Sequence, residues 1–356
     1  MKWKFYSLAF VAGMSILTAC SSDDNNDNDG NGGNGNGNEI ENGTILKGTI
    51  TSDVTLAAGN TYKLSGEYIV EEGATLHIEE GVKIIAVYDD IADYILVKQG
   101  GKINAVGTPD KPIVMTSEKE EPGAWGGIHI CGRAHTNAEG GKGSSEIGGA
   151  VYGGNDDADN SGTLQYIRLE YTGFAFDEEH EANGISFYGV GNGTIVDHCQ
   201  AYKGSDDGFE FFGGSVNVSN LVAVSCSDDS FDWTEGWNGK GTNLVAYQEA
   251  ESTLGYDCDC LMECDNNGSN NAATPVAHPV LKNLILVGNG GSKQGIRLRA
   301  GTEVEIDNAK VCGKGQPLTV ETALTENALK NGTSKLTNIT LTSELSSKEG
   351  IYTHAD

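Results

Sequence analysis

The chain repeats the motif Ser205-Asp206-Asp207-Gly208-Phe209-Glu210-Phe211 as Ser227-Asp228-Asp229-Ser230-Phe231-Asp232-Trp233, with equivalent residues 22 positions apart. A fixed period of this length is typical of stacked supersecondary units, each of which contacts only its neighbours. Because side chains alternate along a strand, Phe209 and Phe231 are expected to stack inward while Glu210 and Asp232 point outward. The repeat therefore predicts neighbouring coils of a parallel β-helix with carboxylates stacked on its outer wall.

A second periodic position supports the same fold. One rung position holds, in chain order, His198, Asn220, Asn243, Asn283, Asn308 and Asn338. A stacked Asn amide can bond to the amide in the next coil and to turn backbone that would otherwise be buried without a partner. We therefore predict an all-β protein, a right-handed parallel β-helix of about ten coils with a flexible N-terminal tether.

Composition and charge agree with this fold class. The 356 residues include 50 glycines and 6 prolines, which indicates many tight turns between short strands. The formal net charge of −28 argues against nucleic acid or an anionic membrane surface as a partner. The same charge suits an exported protein that holds cations.

The spacing of the rungs locates two long loops. Ala246 and Leu286 occupy equivalent positions but lie 40 residues apart, which leaves about 15 residues for an insertion centred on 257–260 and 266–268. The long rung between Leu169 and Ala201 places another loop at 177–181. Loops on a solenoid tend to lie beside its working face, and both of these flank the Asp-rich coils.

The N-terminus carries an export signal. Lys2 and Lys4 precede a short apolar run that ends in Leu17-Thr18-Ala19-Cys20, the layout of a bacterial lipobox. We expect residues 1–19 to be a lipoprotein signal peptide and Cys20 to be acylated. Residues 20–44, rich in Gly, Asn and Asp, are expected to form a flexible tether, and residues 45–356 a single β-helix domain.

The sequence contains seven further cysteines and does not determine how they pair. They are Cys131, Cys199, Cys226, Cys258, Cys260, Cys264 and Cys312. An odd number cannot all pair within one chain. A disulfide among Cys258, Cys260 and Cys264 is one possibility, and a zinc site is a weaker one because no second cluster is near.

Stacked carboxylates repel one another unless something compensates. A hard cation with oxygen ligands would do so, and we predict a Ca²⁺ site formed by Asp207, Asp229, Glu210 and Asp232. A raised pKa on one acid, or basic groups such as Lys203 and Arg297, would also do so. The alternative for Asp206 and Asp228 is that they cap tight turns.

Two catalytic interpretations compete with cation binding. Glu210 and Asp232 could form a glycosidase pair, retaining if the carboxyl groups are about 5–5.5 Å apart. Alternatively, the acids would position Ca²⁺ against a uronate while Lys203 acts as the base of a polysaccharide lyase. For ligand binding, Trp237 and Tyr188 are candidate stacking surfaces for sugar rings, and Arg297 is a candidate partner for an anionic sugar.

Several short sequence motifs resemble those of a known protein family. They are Asp159-Asn160-Ser161-Gly162-Thr163-Leu164, Asn183-Gly184-Ile185, Gly189-Val190-Gly191-Asn192-Gly193-Thr194, Asp206-Asp207-Gly208-Phe209-Glu210, Phe212-Gly213-Gly214-Ser215-Val216-Asn217, Asp228-Asp229-Ser230-Phe231-Asp232 and Gly239-Lys240. In this order they resemble exported right-handed β-helix lipoproteins common in Bacteroidota, within the pectin-lyase-like superfamily. The resemblance implies a lipid anchor in the outer membrane, with the domain facing the cell exterior.

The wider superfamily includes enzymes, and the match to them is partial. Asp206-Asp207-Gly208-Phe209-Glu210 is similar to phrases of calcium-dependent family 9 pectate lyases. The Asn-Thr-Asp and Gly-His-Gly motifs of polygalacturonases are absent, and nothing matches the catalytic arginine motif of a lyase. Fold analogy alone does not establish an activity.

The sequence thus favours a monomeric cell-surface lipoprotein that binds, and in one interpretation processes, extracellular polysaccharide. The main alternative is a non-catalytic adhesin or envelope scaffold. The weaker alternative is a Ca²⁺-dependent polysaccharide lyase or a glycoside hydrolase, so enzymatic activity stays open. The C-terminal region is expected to close the solenoid with a short helix near 321–330.

Overall fold

The computed structural model describes residues 38–89, 91–176 and 180–344. Within them, 24 strands join in one sheet through parallel pairings, two further strands form an antiparallel hairpin, and two α-helices are short. The predicted signal peptide, Cys20 and most of the predicted tether lie outside the described residues. The first strand, Asn38–Ile40, falls within the stretch that the sequence assigns to the tether.

The strands alternate with turns or loops along the described chain, and the long connections include residues 132–161, 248–261 and 265–279. In the first half they are β1 (Asn38–Ile40), β2 (Ile45–Ile50), β3 (Val54–Leu56), β4 (Thr61–Val70), β5 (Thr75–Ile78), β6 (Lys83–Ala86), β7 (Tyr94–Val97), β8 (Lys102–Val106), β9 (Ile113–Ser117), β10 (Ile128–Cys131), β11 (Gly143–Ser144), β12 (Val151–Tyr152) and β13 (Gly162–Glu170). In the second half they are β14 (Ile185–Tyr188), β15 (Ile195–Tyr202), β16 (Phe209–Phe212), β17 (Asn217–Ser219), β18 (Val222–Val224), β19 (Phe231–Thr234), β20 (Lys240–Tyr247), β21 (Met262–Cys264), β22 (Val280–Val287), β23 (Gln294–Leu298), β24 (Glu305–Cys312), β25 (Gln316–Val320) and β26 (Lys335–Leu341). The helices are α1 (Glu251–Leu254) and α2 (Ala323–Asn331), with a 3₁₀ turn at Glu139–Gly141.

Each coil places its strands in three columns, so strands pair with the next coil rather than with their chain neighbours. The column that carries the repeated motif, called the third column here, runs β2, β4, β7, β10, β14, β16, β19, β21, β23 and β25. These described strands correspond to the number of coils expected from the sequence. The predicted fold class, an all-β parallel β-helix, is confirmed.

The core lies inside the coils and follows the predicted rungs. Phe187 stacks on Phe211 at 5.0 Å between ring centroids, and Phe209 stacks on Phe231 at 5.6 Å. Trp237 adds a further ring on Phe211, at 4.2 Å. Full burial of one large apolar side chain stabilises a fold by about 1.5–3 kcal/mol, so this inner stack fixes the register of the coils.

The predicted asparagine ladder, Asn220, Asn243, Asn283, Asn308 and Asn338, is confirmed. All five adopt the left-handed conformation, with φ between 55° and 62°, which Asn tolerates better than most residues. The Nδ2 atoms of Asn243, Asn283 and Asn308 donate to the Oδ1 atom of the preceding rung at 2.8, 3.0 and 2.8 Å. Asn220 and Asn338 donate instead to Asp197 and Asp307, at 2.6 and 2.7 Å.

The insertion between Ala246 and Leu286 is divided in two, which corrects the sequence interpretation. Strand β21 lies within it and pairs with β19 and β23 in the third column. The added residues therefore lie within 248–261 and 265–279, before and after a strand of the sheet, rather than in one loop. This division brings Glu263 of β21 into the sheet.

The segment 132–161, between β10 and β13, reaches the second part of that insertion. Asn137 Nδ2 donates to Asn266 Oδ1 at 2.8 Å and to Pro275 O at 3.0 Å. Asn267 Nδ2 donates back to Asn137 Oδ1 at 2.9 Å. These bonds, called the clasp here, join segments that belong to coils four steps apart in the third column.

The C-terminal helix that the sequence predicts is confirmed as α2, Ala323–Asn331, which ends at Gly332 with φ of 83°. Among the described residues, neither α-helix has the length and apolar character that a membrane crossing requires. The seven described cysteines are all buried and free, so no disulfide forms among the described residues.

Candidate functional site

Outward-facing side chains of the third column form a continuous acidic row. The strand register pairs Ser186 with Glu210, Glu210 with Asp232, Asp232 with Glu263, and Glu263 with Arg297. Coils in such a sheet are about 4.8 Å apart. The predicted neighbourhood of Glu210 and Asp232 is thus confirmed, and Glu263 extends the row, called the acid column here, by one coil.

The turn before these strands carries a second row, called the turn ladder here, of Asn183, Asp207 and Asp229. The Oδ1 atom of each accepts the backbone N–H of the next coil: Asp207 N donates to Asn183 at 3.2 Å, Asp229 N to Asp207 at 2.8 Å, and Cys260 N to Asp229 at 2.6 Å. Asp207 and Asp229 are buried, at 6 % and 4 % exposure. One oxygen of each Asp satisfies the backbone, which leaves the other to face the cavity.

The two rows line an open cavity of about 380 Å³, called the acidic cleft here. Among the described residues, ten carboxylates contribute to its lining together with Asn183 and Arg297. The acids are Glu146, Glu181, Asp206, Asp207, Glu210, Asp228, Asp229, Asp232, Asp259 and Glu263. Glu146 comes from the segment 132–161 and Glu181 from the loop before β14, so two segments outside the third column wall the cleft.

Burial and mutual repulsion disfavour the ionised forms of these acids. Burial raises the pKa of Asp207, Glu210, Asp229 and Asp232 well above their usual range, and the charges of neighbouring carboxylates raise it further. Burial also raises the pKa of Asp206 to about 8, with Asp228 adding to the shift. At neutral pH these acids must therefore either hold protons or be compensated by a cation.

Basic side chains compensate only one end of the cleft. Lys293 Nζ lies 2.6 Å from Asp259 Oδ2, and Arg297 Nη1 lies 2.9 Å from Glu263 Oε2. Arg299 contacts Glu263 as well. In the middle of the cleft, Asp207, Glu210, Asp229 and Asp232 form no ion pair with any described residue.

This middle group has the chemistry of a site for a hard cation. Oxygen atoms of Asp207, Glu210 and Asp232 lie within 4.8 Å of one another, as do those of Asp229, Asp232 and Glu263. Asp232 belongs to both groups, and its Oδ1 atom is buried without a hydrogen-bond partner in the described structure. Carboxylate oxygens are the ligands that Ca²⁺ prefers, so the residues predicted for Ca²⁺ fit such an ion.

The other residues singled out from the sequence lie in different surroundings. Arg297 lines the cleft, as expected. Trp237 and Tyr188 are 1 % and 0 % exposed, so neither forms the open stacking surface that we expected. Trp237 packs among the core rings, and Tyr188 stacks on Phe212 at 4.3 Å beneath the segment 132–161. Lys203 lies outside the cleft lining, 3.3 Å from Glu249.

Sequence reasoning missed Glu146, Asp259 and Glu263. A signal was present for the last two, because Asp259 and Glu263 repeat the four-residue spacing of Asp206 to Glu210 and of Asp228 to Asp232. The segment Asp259-Cys260-Leu261-Met262-Glu263 is a third copy of the motif, with Cys in place of the second Asp. Glu146 has no such signal, since it reaches the cleft from a long segment without a periodic pattern.

Comparison with known proteins identifies a family whose model matches most of the chain. The family model described as a pectate-lyase-like beta helix domain matches residues 48–356. Searches of curated proteins and of solved structures return no significant match.

Proposed function

The chain belongs to the family of pectate-lyase-like β-helix domains, and we propose that it is a lipid-anchored surface protein that binds an acidic extracellular polysaccharide through Ca²⁺ held in the acidic cleft. Family membership supports a role related to polysaccharides. The observation that carries the finer proposal is the group of Asp207, Glu210, Asp229 and Asp232, stacked in the cleft without a basic partner among the described residues.

A cation explains why such a group is retained. Carboxylates in the cleft would repel an anionic ligand, whereas bound Ca²⁺ would neutralise them and attract it. Ca²⁺ takes about six to eight oxygen ligands, more than three carboxylates supply in monodentate form. The remaining positions would be filled by water or by the carboxylate of a uronic acid, which gives the cleft its selectivity for an acidic polymer.

Arg297 supports an acidic ligand at the other end of the cleft. Its guanidinium bonds to Glu263 and Glu321, at 2.9 and 3.0 Å. These contacts hold it in place beside the carboxylates of β19 and β21. A second carboxylate of the polymer could share this guanidinium, because Arg presents several donors in one plane.

The location in the proposal comes from the N-terminal sequence. The segment Leu17-Thr18-Ala19-Cys20 has the pattern of a lipidation site, and the residues between Cys20 and the first strand at Asn38 would hold the β-helix away from the membrane. We infer an anchor in the outer membrane, with the domain facing the exterior. An acidic polymer outside the cell is the ligand that such a placement makes accessible.

Binding is favoured over cleavage by the surroundings of Lys203. Although burial opposes its charge, contacts with the Tyr202 hydroxyl and with Glu249 raise the pKa of Lys203 above its usual value. A protonated lysine outside the cleft lining is poorly suited to remove a proton from a sugar in the cleft. Cleavage by the Glu210 and Asp232 pair is the outcome that a product assay would reveal.

The proposal is tested by calorimetric titration with CaCl₂, followed by binding to polygalacturonate, alginate and a neutral glucan with Ca²⁺ or with EDTA. We expect Ca²⁺ binding, Ca²⁺-dependent retention of the acidic polymers alone, and no new chain ends. Asp232→Asn should weaken both binding events strongly. Glu326→Gln, on the exposed surface of α2, is the matched control and should keep them.

Retention of no polymer in Ca²⁺ would overturn the polysaccharide proposal and favour the adhesin alternative. Release of unsaturated or reducing products would show that the cleft is catalytic. Equal retention of the acidic polymers in Ca²⁺ and in EDTA would show that Ca²⁺ does not connect the polymer to the cleft.

A further inference from the structure

An exposed aromatic side chain lies on the same hairpin that supplies an acid to the cleft. Ala175 pairs with Glu181 in an antiparallel bridge. Phe176 N donates to His180 O at 2.9 Å, and Ala182 N donates to Phe174 O at 3.1 Å. Because Glu181 lines the cleft, this backbone pairing holds Phe176 next to the strand segment that supplies a cleft residue.

Other rings hold Phe176 from behind. Its ring meets Phe174 edge to face at 5.2 Å between centroids and Tyr94 at 5.9 Å. Tyr94 is 6 % exposed, and its hydroxyl donates to Glu67 at 3.0 Å. Phe176 is nevertheless 39 % exposed. The arrangement presents to solvent an aromatic surface that two neighbouring rings hold in place.

A groove continues from Tyr94 toward the N-terminal end of the solenoid. It has a volume of about 660 Å³, and its lining includes Gly48, Gly66, Ile91 and Tyr94. The acidic cleft and this groove lie along the same column of strands. From β2, which holds Gly48, to β21, which holds Glu263, there are seven coil steps, roughly 34 Å at about 4.8 Å per step.

We propose that Phe176 is a stacking subsite for a sugar ring of a polysaccharide that extends from the acidic cleft past Tyr94 into this groove. The inference rests on the proposed function and adds that the ligand is a polymer recognised over several sugar units. The C–H face of a pyranose ring is apolar and suits an aromatic ring, while its hydroxyls suit polar groups such as Lys47 and Glu67 in the groove lining. Phe176 thereby takes the role that the sequence assigned to Trp237 and Tyr188.

The subsite is tested with oligogalacturonates from dimer to decamer, titrated calorimetrically in Ca²⁺ into the whole chain. For Phe176→Ala we expect the affinity for the decamer to fall about tenfold, the difference that one aromatic contact makes. The affinities for the dimer and for Ca²⁺ should match those of the wild type. Phe176→Tyr should restore decamer binding, and Leu324→Ala, which removes a 47 % exposed side chain from α2, should change nothing.

Failure of the subsite and failure of the proposed function give different results. If the wild type binds the oligomers but Phe176→Ala weakens none of them, or weakens dimer and decamer equally, the subsite is refuted while the cleft stands. If the wild type binds Ca²⁺ and no oligomer of any length, the proposed function and the subsite both fall. Unchanged melting temperatures of the variants show that folding is not the cause.

Discussion

The asparagine ladder and the acid column show how the same stacking gives two different results. Both place polar side chains one above another at the spacing of the coils. The amide of Asn243 donates to Asn220 and accepts from Asn283, so each rung satisfies the next. An ionised carboxylate only accepts, so Glu210 and Asp232 cannot satisfy one another when both are charged. The first stack is complete within the protein, and the second is where we propose that a cation binds.

Asp197, at the first end of the asparagine ladder, and Asp232, in the acid column, sharpen the contrast. Asp197 is partly buried, yet hydrogen bonds from Ser219 and Asn220 outweigh the effect of burial and lower its pKa. Burial raises the pKa of Asp232, and the nearby carboxylate of Glu263 raises it further. Side-chain donors thus offset the effect of burial on the pKa of Asp197, whereas a neighbouring carboxylate adds to that effect at Asp232.

Replacing Asp232, which both proposed groups of Ca²⁺ ligands share, should have the largest effect on Ca²⁺ affinity. In Asp232→Asn we expect the affinity for Ca²⁺ to fall about 100-fold, or about 2.7 kcal/mol. The reason is that Asp232 belongs to both groups of carboxylates whose oxygen atoms lie close enough to hold one ion. Without Ca²⁺ the same variant should melt at a higher temperature than the wild type, since one repulsive charge is gone. Calorimetry with and without EDTA measures both changes. If the variant melted at a lower temperature than the wild type in EDTA, the carboxylates of the acid column would not repel one another.

Breaking the asparagine ladder should cost stability whether or not Ca²⁺ is present. Asn243→Ala loses two amide bonds and leaves Ala at φ of 58°, which together should lower the free energy of unfolding by about 2–3 kcal/mol. Asn243→Gly tolerates that φ and should recover about 1 kcal/mol. Urea unfolding at saturating Ca²⁺ provides the measurement. A Ca²⁺-dependent loss would contradict the separation of the two stacks.

The pH dependence of the apo protein should follow the raised pKa values. Because the folded pKa of Asp206, about 8, lies above the unfolded value of 3.8, the folded state holds more protons between these pH values. Its stability then falls as pH rises through that window. We expect the melting temperature in EDTA to drop by on the order of 5 °C from pH 5 to pH 8. With Ca²⁺ the drop in melting temperature should be much smaller. An equal drop in Ca²⁺ and in EDTA would show that no cation compensates these acids.

The smallest effect is expected at the end of the turn ladder. Asn183 Nδ2 donates to Glu210 and to Ser186, and its Oδ1 atom accepts from Asp207 N. Asn183→Ala removes a donor to Glu210 without removing a cation ligand. We expect the affinity for Ca²⁺ to change less than about tenfold, which titration alongside Asp232→Asn would show. A loss as large as that of Asp232→Asn would make Asn183 part of the cation site.

The sequence predicted those parts of the molecule that repeat. Phe209 and Phe231 identify the inward rungs and Asn220 and Asn243 the ladder, because their environment recurs in every coil. The same spacing correctly placed Glu210 over Asp232. These positions are determined by neighbours one period away, which a periodic pattern makes visible.

What the sequence did not predict depends on segments that interrupt the period. Glu263 was missed because residues on both sides of β21 displace it from the expected spacing. The exposure of Trp237 and Tyr188 was misjudged because it depends on core packing and on the segment 132–161, whose path over the third column has no periodic signal. The same segment brings Glu146 into the cleft, and burial raises the pKa of Glu146 to about 7.

The clasp between Asn137 and Asn266 has a consequence for how the solenoid opens. Coils of a repeat protein contact only adjacent coils, so unfolding can begin at an end and proceed one coil at a time. The clasp joins the segment after β10 to the segment after β21, and every carboxylate that lines the acidic cleft lies between Asn137 and Asn266 along the chain. A coil cannot leave this interval alone unless the clasp parts first. Hydrogen exchange should therefore report one shared opening for the whole interval, and fraying confined to the coils beyond it.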